Sequence, residues 1–431
     1  MHTLILGNGI AGSTVARLLR KDPDMKITMI SEEAPYPFSR PALMYAFMGH
    51  LTDRQTELHE RKSYKGIDLI QGSVRHVDTG EKVVKYAADN GRPAELTYDR
   101  LVIATGSVPR RLNVPGESLE GVQGLYHRGD LIRLESRLAS TDGPACIIGG
   151  GLIGVELAEM LHSRKKPVTM LVRESSYWNS VLLPEESAVV SKEIERHVKV
   201  LYNRQVLSFN ESESGDSEAG ASPSEGRDVY DRRGLRSVTT DHDCLPANIA
   251  GVTIGVQPNL SALQSSDITL DRGVIVDGFF RTSAPDVYAI GDCAQIDGRI
   301  EQLWYTARHQ AGTLVAQWMD GAGPYTPEPY YNSAKFFSLE YIVVGQVRGG
   351  RSFLYQDERQ GKRHLLRLCF DGDHLIGINT LGLRLRQGSA ERLIAEGARV
   401  QTVMQSLPEL CFDPEFSGGW RRLNGRLREV A

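Results

Sequence analysis

The stretch LILGNGIAGSTVARLLR, residues 4–20, decides the fold of the N-terminal part of this chain. It begins with apolar, strand-like residues, passes through Gly7, Gly9 and Gly12 in a G-x-G-x-x-G spacing, and continues with a helical pattern. In such a unit the first glycine permits a tight turn, the second lets the backbone approach a pyrophosphate, and the third allows close packing of the helix. Glu32 ends the next strand, where a carboxylate can accept hydrogen bonds from a ribose. The stretch therefore predicts a dinucleotide site on a parallel sheet.

The same pattern returns in IIGGGLIGVELA, residues 147–158, where Gly149, Gly151 and Gly154 repeat the spacing. A strand precedes this motif and a further strand follows it, so a second βαβ unit is expected. A simple dehydrogenase needs one dinucleotide site. Two sites in one chain predict one cofactor that stays bound and a second that visits.

The second unit differs from the first at its ribose position. The strand that follows the second motif ends at Val172 without an acid, and Arg173 comes next. An arginine there can pair with a 2′-phosphate and so favour NADPH. It can equally be a solvated side chain neutralised by Glu174, and both interpretations stay open at this point.

A third motif, VYAIGDCAQ, occupies residues 287–295. Its strand ends at Gly291 and Asp292, and this predicts a carboxylate beside a helix N-terminus and a bound cofactor. An isolated Gly-Asp pair would carry no information. Its position downstream of two dinucleotide motifs makes it a candidate cofactor-binding site.

Composition and charge exclude several classes of protein. The chain has 431 residues, 41% of them hydrophobic and 24% charged, with a formal net charge of −4. This balance gives no reason to expect a nucleic-acid partner, and no apolar run reaches the length of a membrane span. A strand begins almost at the N-terminus, so we expect no signal peptide and a cytoplasmic location. No two of the five cysteines have metal-ligand or redox-disulfide spacing, and no metal site is expected.

The order of motifs predicts an α/β fold with two Rossmann-like dinucleotide-binding domains and a C-terminal α+β domain. The first domain is expected to be discontinuous, over residues 1–110 and 250–324. The second covers 111–249 and carries a polar loop, 209–234, rich in Ser, Gly and Glu. The third covers 325–431, with strand-like runs followed by one helix at Ala390–Gln405.

These motifs resemble the FAD-dependent pyridine nucleotide–disulfide oxidoreductase superfamily, whose fold is glutathione reductase-like, and in particular its ferredoxin and rubredoxin reductases. The resemblance implies that the first glycine motif and Glu32 bind FAD and that the second glycine motif binds NAD(P)H. It also identifies TYDRLVIATGSVPR, residues 97–110, as a second FAD signature that contains Thr105 and Gly106. Asp292 is then the acid that holds the ribityl chain.

The segment RPALMY, residues 40–45, resembles the RPPLSK segment of the ferredoxin reductases, and Arg40 matches its arginine. Tyr45 stands where that family has a lysine near the flavin, paired with a glutamate that matches Glu156. The ion pair is missing here, so Glu156 is expected to be protonated or to have another partner. No cysteine lies between residues 32 and 49, where the disulfide-using branches place theirs.

In the third domain, KFFSLEYIVVGQV, residues 335–347, resembles the family segment whose aromatic residue covers the flavin. Phe337 occupies that position, although a core aromatic on a strand is an open alternative. The helix over residues 302–319 is expected to direct its N-terminus at the flavin, where its dipole stabilises an anionic reduced ring.

The function that the resemblance implies is hydride transfer from NAD(P)H to FAD and onward transfer of electrons to a ferredoxin- or rubredoxin-like carrier. Residues 325–431 contain 15 Lys and Arg against 12 Asp and Glu, a mild positive excess that suits an acidic carrier. Three alternatives remain: an NAD(P)H oxidase, a flavoprotein component for nitrite reduction, and a redox-sensing flavoprotein with a long-lived reduced flavin. The chain lacks the cysteine clusters that a nitrite-reducing enzyme needs for its own reductase site. The sequence does not specify the oligomeric state.

Overall fold

A computed structural model describes residues 1–211, 234–359 and 361–430. Most of the polar loop expected at 209–234 lies outside the described residues. The chain divides into two compact units. Unit 1 consists of residues 1–112, 124–141 and 254–327, and unit 2 of residues 113–123, 142–253 and 328–431. The three domain boundaries expected from the sequence stay a prediction.

Unit 1 is built on a seven-stranded sheet in the order β18-β6-β1-β2-β3-β4-β5. The strands are β1 (His2–Leu6), β2 (Lys26–Ser31), β3 (Ile67–Asp78), β4 (Val83–Ala88), β5 (Pro93–Thr97), β6 (Arg100–Ile103) and β18 (Val287–Ala289). The first five in the spatial order are parallel, and β4 and β5 add an antiparallel meander. Strands β1, β2, β6 and β18 are largely buried because helices cover them, whereas β3 carries polar residues along much of its length.

The helices of unit 1 and its small two-stranded sheets surround this core. The helices are α1 (Ile10–Leu19), α2 (Ala42–Phe47), α3 (Arg128–Ser140) and α6 (Trp304–Asp320). The small sheets pair β7 (Ser107–Pro109) with β16 (Val256–Pro258) and β17 (Val274–Val276) with β19 (Ala294–Ile296). Helices α1 and α6 share one buried cluster with the sheet, to which Val15, Ala311 and Leu314 belong. This packing brings the N-termini of both helices to the carboxyl ends of the strands.

Unit 2 contains a second parallel sheet, in the order β11-β10-β9-β15-β8. Its strands are β8 (Val122–Gln123), β9 (Ala145–Ile148), β10 (Val168–Leu171), β11 (Lys199–Leu201) and β15 (Ile249–Val252), with helices α4 (Leu152–Ser163) and α5 (Pro184–Glu195). An antiparallel sheet of β12 (Val206–Glu211), β13 (Leu235–Thr240) and β14 (Cys244–Pro246) follows β11. Two Rossmann-like sheets in one chain confirm the predicted fold class.

The C-terminal part of unit 2 is a six-stranded antiparallel sheet in the order β20-β21-β24-β23-β22-β25. The strands are β20 (Tyr331–Phe336), β21 (Leu339–Gly345), β22 (Arg351–Arg359), β23 (Lys362–Asp371), β24 (His374–Leu381) and β25 (Arg428–Val430). Helices α7 (Gln387–Ala395), α8 (Val400–Ser406) and α9 (Ser417–Arg421) cover this sheet.

The single helix expected over Ala390–Gln405 is wrong. The chain forms α7 and α8 with a turn between them, where Gly397 adopts a φ of +58°. That left-handed conformation is inexpensive for glycine and ends the first helix.

Helix α5 is joined to the C-terminal sheet by a buried ion pair. Arg367 on β23 is 2% exposed and donates from Nε to Glu186 on α5 at 2.6 Å, and Glu186 is 0% exposed. The same guanidinium donates to Glu185 at 2.8 Å and to Ser352 Oγ at 3.1 Å. These contacts dock the part of unit 2 that contains the parallel sheet onto the antiparallel sheet. Among the helices of the described ranges, none is long and apolar enough to cross a membrane.

Candidate cofactor and nucleotide sites

Unit 1 holds a cavity of about 930 Å³ at the carboxyl ends of its parallel strands. Ligands of open α/β sheets bind at this edge. The cavity wall includes these residues predicted from the sequence: Gly7, Gly9, Glu32, Arg40, Thr105, Gly106, Gly291 and Asp292. Segments more than 250 residues apart in the sequence therefore converge on one cavity.

The first glycine loop has the stereochemistry that the motif predicts. Gly7 has a φ of +101°, and a Cβ there would lie 2.1 Å from the carbonyl oxygen of Ala104. A Cβ on Gly12 would lie 2.1 Å from the carbonyl oxygen of Gly7, so close packing of α1 requires a glycine. Gly9 has nothing within 4 Å of its Cβ position and faces open space. Gly9 is also the N-cap of α1, whose first-turn N–H groups lack intrahelical acceptors and suit an anion.

Two adjacent acids directly follow β2, and the structure gives them different surroundings. Glu32 is exposed at the cavity edge. Glu33 is 16% exposed and accepts hydrogen bonds from Arg40 at 2.8 Å and from the backbone N–H of Arg128. Burial works against ionisation of Glu33, but the contacts with His127, Arg40 and Arg128 outweigh it and hold the pKa below its usual value. Glu33 was not predicted from the sequence, although the two adjacent acids after a strand could have indicated it.

Several contacts fix Arg40 at the wall of the cavity. Besides Glu33, its guanidinium donates to the carbonyl oxygen of Tyr126 at 2.6 Å and lies 4.4 Å from the centre of the Tyr126 ring. A guanidinium over an aromatic face is held by a cation–π attraction. Arg40 therefore presents a fixed positive charge to the cavity.

Asp292 follows β18 at the cavity wall. Burial raises the pKa of its carboxyl group, while the hydroxyl of Ser107, which donates to Oδ2 at 2.8 Å, and the charge of Arg40 act in the opposite direction. Ser107 Oγ also lies 2.6 Å from the hydroxyl oxygen of Tyr126. Ser107 and Tyr126 thus orient Asp292, and neither was a sequence prediction.

The remaining predicted residues of unit 1 lie as follows. The Thr105 hydroxyl donates to the carbonyl oxygen of Asn259 at 2.8 Å, and Gly106 has a φ of +69°. Gly291 has a φ of +75°, and its N–H donates to Gln310 on α6 at 2.7 Å. Tyr45 lies on α2, is 42% exposed, and is not among the residues that line the cavity. The role expected for Tyr45 beside a flavin stays a prediction.

The second glycine loop, in unit 2, reproduces the first. Gly149 has a φ of +116°, and its Cβ would lie 2.5 Å from the carbonyl oxygen of Thr253. A Cβ on Gly154 would lie 2.6 Å from the carbonyl oxygen of Gly149. Gly151 is the N-cap of α4 and has nothing within 4 Å of its Cβ position. This loop can therefore admit a pyrophosphate at the same place as the first.

The sequence left two interpretations open for each of two charged residues near the second loop, Arg173 and Glu156. Arg173 pairs with Glu174 at 3.0 Å, and its side chain is 78% exposed. Glu156 lies on α4, half-buried, and burial together with repulsion from Glu159 raises the pKa of its carboxyl group to about 7. Such a carboxyl is largely protonated in mildly acidic solution.

Phe337 lies at the tip of the hairpin between β20 and β21, with a φ of +54°. Its ring stacks on His197 with centroids 4.2 Å apart and an interplanar angle of 8°. His162 meets the same ring edge-on at 5.8 Å. Phe337 is 5% exposed, and its expected role over a flavin stays a prediction.

The five cysteines are free thiols, and four of them are buried: Cys146, Cys293, Cys369 and Cys411. Burial raises the pKa of Cys146 to about 12 and that of Cys369 to about 11. Because the thiolate is the reactive species, these thiols are poor nucleophiles. In the parts of the chain that the structure describes, no cluster of three or more His, Cys, Asp or Glu residues could hold a metal ion.

The cavity of unit 1 fits the FAD that the sequence resemblance implies. The space left open at Gly9 admits a diphosphate beside the N-terminus of α1. Gln302, just before α6, lines the cavity, and its buried Nε2 lacks a hydrogen-bond partner. A buried amide without an acceptor is costly unless a ligand supplies one. Gln302 was not a sequence prediction.

Comparison with known proteins agrees with this geometry. The family described as "Pyridine nucleotide-disulphide oxidoreductase" matches residues 1–311. The ferredoxin–NAD(+) reductase component of the p-cumate 2,3-dioxygenase system of Pseudomonas putida is 29% identical over 411 residues, which cover 92% of this chain and 94% of that protein. The ferredoxin reductase component of chlorobenzene dioxygenase of Cupriavidus sp. (strain PS12) is 31% identical over 364 residues, 82% of each chain.

Among solved structures, the covalent putidaredoxin reductase–putidaredoxin complex superposes with a TM-score of 0.79, covering 98% of this chain and 99% of that one at 22% identity. At this identity the likeness concerns the fold. The family match spans both glycine loops and the segment of Asp292. The chain therefore belongs to the pyridine nucleotide-disulphide oxidoreductase family and is an NAD(P)H-dependent flavoprotein reductase that uses FAD.

Proposed function

We propose that this reductase passes electrons from NAD(P)H through FAD to a small one-electron carrier protein of the ferredoxin or rubredoxin class. The observation that carries the proposal is the pair of glycine loops with matching stereochemistry, one in each unit. One loop suits a resident cofactor and the other a visiting nucleotide. The named relatives, which act on ferredoxin, support the choice of acceptor.

FAD, when bound, accepts a hydride from NAD(P)H and can release its two electrons singly. We assign its diphosphate to Gly7, Gly9 and the N-terminus of α1. The charge of Arg40, held by Glu33, and the carboxyl of Asp292, oriented by Ser107, fix the cofactor further along the cavity. No general base is needed for hydride transfer, so these residues act by positioning and electrostatics.

We assign NAD(P)H to the loop of Gly149, Gly151 and Gly154. The Arg173–Glu174 pair leaves the choice between NADH and NADPH open, because Glu174 would repel the same 2′-phosphate that Arg173 attracts. Four buried thiols with raised pKa values argue against a thiol relay in the reaction. We also propose a cytoplasmic location, where NAD(P)H is supplied and free thiols persist.

An acceptor screen on the purified protein tests the proposal. Released cofactor is first identified by mass, and FAD is expected. The protein is then reduced with NADH or NADPH under anaerobic conditions and mixed with ferredoxin, rubredoxin, oxygen or an organic disulfide. Reoxidation by a carrier should be the fastest. Faster reoxidation by oxygen would indicate an oxidase, and a reduced flavin that no carrier reoxidises would indicate a redox sensor.

The nucleotide assignment has its own test. Gly151→Val should abolish flavin reduction by NAD(P)H while FAD stays bound, because a branched side chain would occupy the open space of the loop. Gly388→Val, at another glycine with open space around its Cβ position, is the matched control. Normal reduction of the Gly151 variant would refute the assignment.

A further inference from the structure

A buried tyrosine lies beneath the second glycine loop. Tyr177 is 0% exposed, and its hydroxyl donates to the carbonyl oxygen of Gly151 at 2.8 Å. Its ring edge also lies near the loop, since a Cβ added to Gly150 would be 3.7 Å from Tyr177 Cδ2. The tyrosine therefore bonds to Gly151 and lies beside the position that a side chain at Gly150 would take.

The carbonyl oxygen of Gly151 accepts two hydrogen bonds at the N-terminus of α4. The N–H of Val155 donates to it at 3.3 Å as the first bond of the helix, and the Tyr177 hydroxyl adds the shorter bond of 2.8 Å. The peptide between Gly151 and Leu152 is planar and trans, so its N–H points away from this carbonyl. That N–H belongs to the first turn of the helix, where amides have no intrahelical acceptor and face an incoming anion. By adding the second bond, Tyr177 restricts the direction of an amide that a pyrophosphate would use.

Tyr177 is itself held from two sides. The hydroxyl of Ser187 on α5 donates to its carbonyl oxygen at 2.6 Å in a buried position. Its ring meets Phe336, on β20 of the C-terminal sheet, with centroids 5.9 Å apart. Edge-to-face contacts of this kind stabilise one orientation of the ring.

The residues after Tyr177 are attached to the same sheet. Trp178 has a φ of +51°, an uncommon conformation for a bulky residue, and its ring packs against Phe336 at 6.1 Å and Tyr341 at 5.9 Å. Arg348, after β21, donates to the carbonyl oxygens of Asn179 at 2.8 Å and Leu182 at 3.1 Å. These contacts offset the backbone strain and hold residues 177–182 in place.

We propose that Tyr177 is a positioning residue for the nicotinamide nucleotide and that the C-terminal sheet, through Phe336, Tyr341 and Arg348, is an accessory part of the nucleotide site. This rests on the assignment of NAD(P)H to the loop of Gly151. The C-terminal sheet then governs nucleotide affinity without contacting the nucleotide. It acts through the aromatic cluster of Tyr177, Trp178, Phe336 and Tyr341.

The test is anaerobic stopped-flow reduction of the FAD-loaded protein at a series of NADH and NADPH concentrations. Tyr177→Phe should raise the dissociation constant of the nucleotide by up to about tenfold, because the full value of the lost hydrogen bond is the upper limit of its effect on binding. The limiting rate of flavin reduction should stay within about twofold. Tyr202→Phe is the matched control, because it removes a hydroxyl bonded to Glu195 on the same part of unit 2. Its dissociation constant should stay at the wild-type value.

Arg348→Met tests the role of the sheet, with Arg351→Met as control because Arg351 pairs with Glu429 instead. We expect a raised dissociation constant in the first variant only. A lowered melting temperature with unchanged affinity in Tyr177→Phe and Arg348→Met would overturn the proposal in favour of a purely structural role. If Gly151→Val also bound nucleotide normally, the assignment of the site itself would be at fault. If only Gly151→Val lost binding, the positioning role alone would fail.

Discussion

At the scale of single residues, Glu156 on α4, the helix that follows the second glycine loop, has a carboxyl group whose pKa is shifted by its surroundings. Burial and Glu159 raise the pKa of its carboxyl group from 4.5 to about 7. Between about pH 4.5 and pH 7 the carboxyl group of Glu156 is ionised in the unfolded chain but still protonated in the folded protein. Over this range the free energy of unfolding of the wild type therefore falls relative to that of Glu156→Gln, and above pH 7 the difference between the two proteins is constant. The total fall is at most about 3 kcal/mol.

Urea denaturation of the wild type and Glu156→Gln between pH 4.5 and pH 8.5 measures this difference. Glu195→Gln, at a surface carboxylate bonded to Tyr202, is the control for loss of a carboxylate elsewhere in unit 2. A stability difference between the wild type and Glu156→Gln that does not change with pH would mean that Glu156 has a charged partner when folded.

A second prediction at the scale of single residues concerns Arg173. Arg173→Ala should weaken binding of NADPH more than that of NADH, because only NADPH has a 2′-phosphate to pair with the guanidinium. Glu174→Gln should shift the preference the other way by removing the carboxylate 3.0 Å from Arg173. Dissociation constants for both nucleotides provide the measurement. Equal effects on the two nucleotides would leave Arg173 as a solvated surface charge.

Residues identified by a local motif could be predicted from the sequence, and residues identified by a distant partner could not. Gly7, Gly9 and Asp292 belong to short patterns whose stereochemistry follows from the chain itself. Ser107 reaches Asp292 across 185 positions, and Tyr177 reaches Gly151 across 26. Nothing in a single sequence records which distant side chains will meet, so their contribution became visible only in three dimensions.

At the scale of elements, the parallel strands and their helices were predictable because strand, glycine turn and helix follow one another directly. The break between α7 and α8 was missed because Gly397 lies inside a continuous helical pattern. Glycine costs a helix only about 1 kcal/mol, so its presence alone does not end one. Packing of both short helices on the antiparallel sheet decides the break.

The contact between α5 and β23 depends on Arg367. Arg367→Met should lower the free energy of unfolding by about 3–5 kcal/mol, because it leaves the wholly buried Glu186 carboxylate without its partner. Arg351→Met removes an exposed pair on the neighbouring strand and should cost less than about 1 kcal/mol. Chemical denaturation of both variants checks this. Similar losses in the two variants would show that the buried pair adds little to docking of the helix.

At the scale of the whole molecule, the distribution of thiols sets the reactivity of the protein. Cys244 is the exposed cysteine, and the other four are buried with raised pKa values. Iodoacetamide at pH 7 should therefore modify about one thiol in the native protein and five after denaturation. Turnover with ferricyanide should be unaffected. Cys244→Ser should abolish the native modification, and loss of turnover on labelling would reveal a thiol in the reaction.

The matching shapes of the two glycine loops have a consequence for the engineering of nucleotide preference. Gly7 and Gly149 share a left-handed backbone, and Gly12 and Gly154 each exclude a side chain against the first glycine of their own loop. Because each loop meets these steric demands within its own unit, a substitution beside one loop leaves the stereochemistry of the other unchanged. Nucleotide preference can therefore be altered at Arg173, after β10, while the cavity built on β1 and β2 keeps its shape.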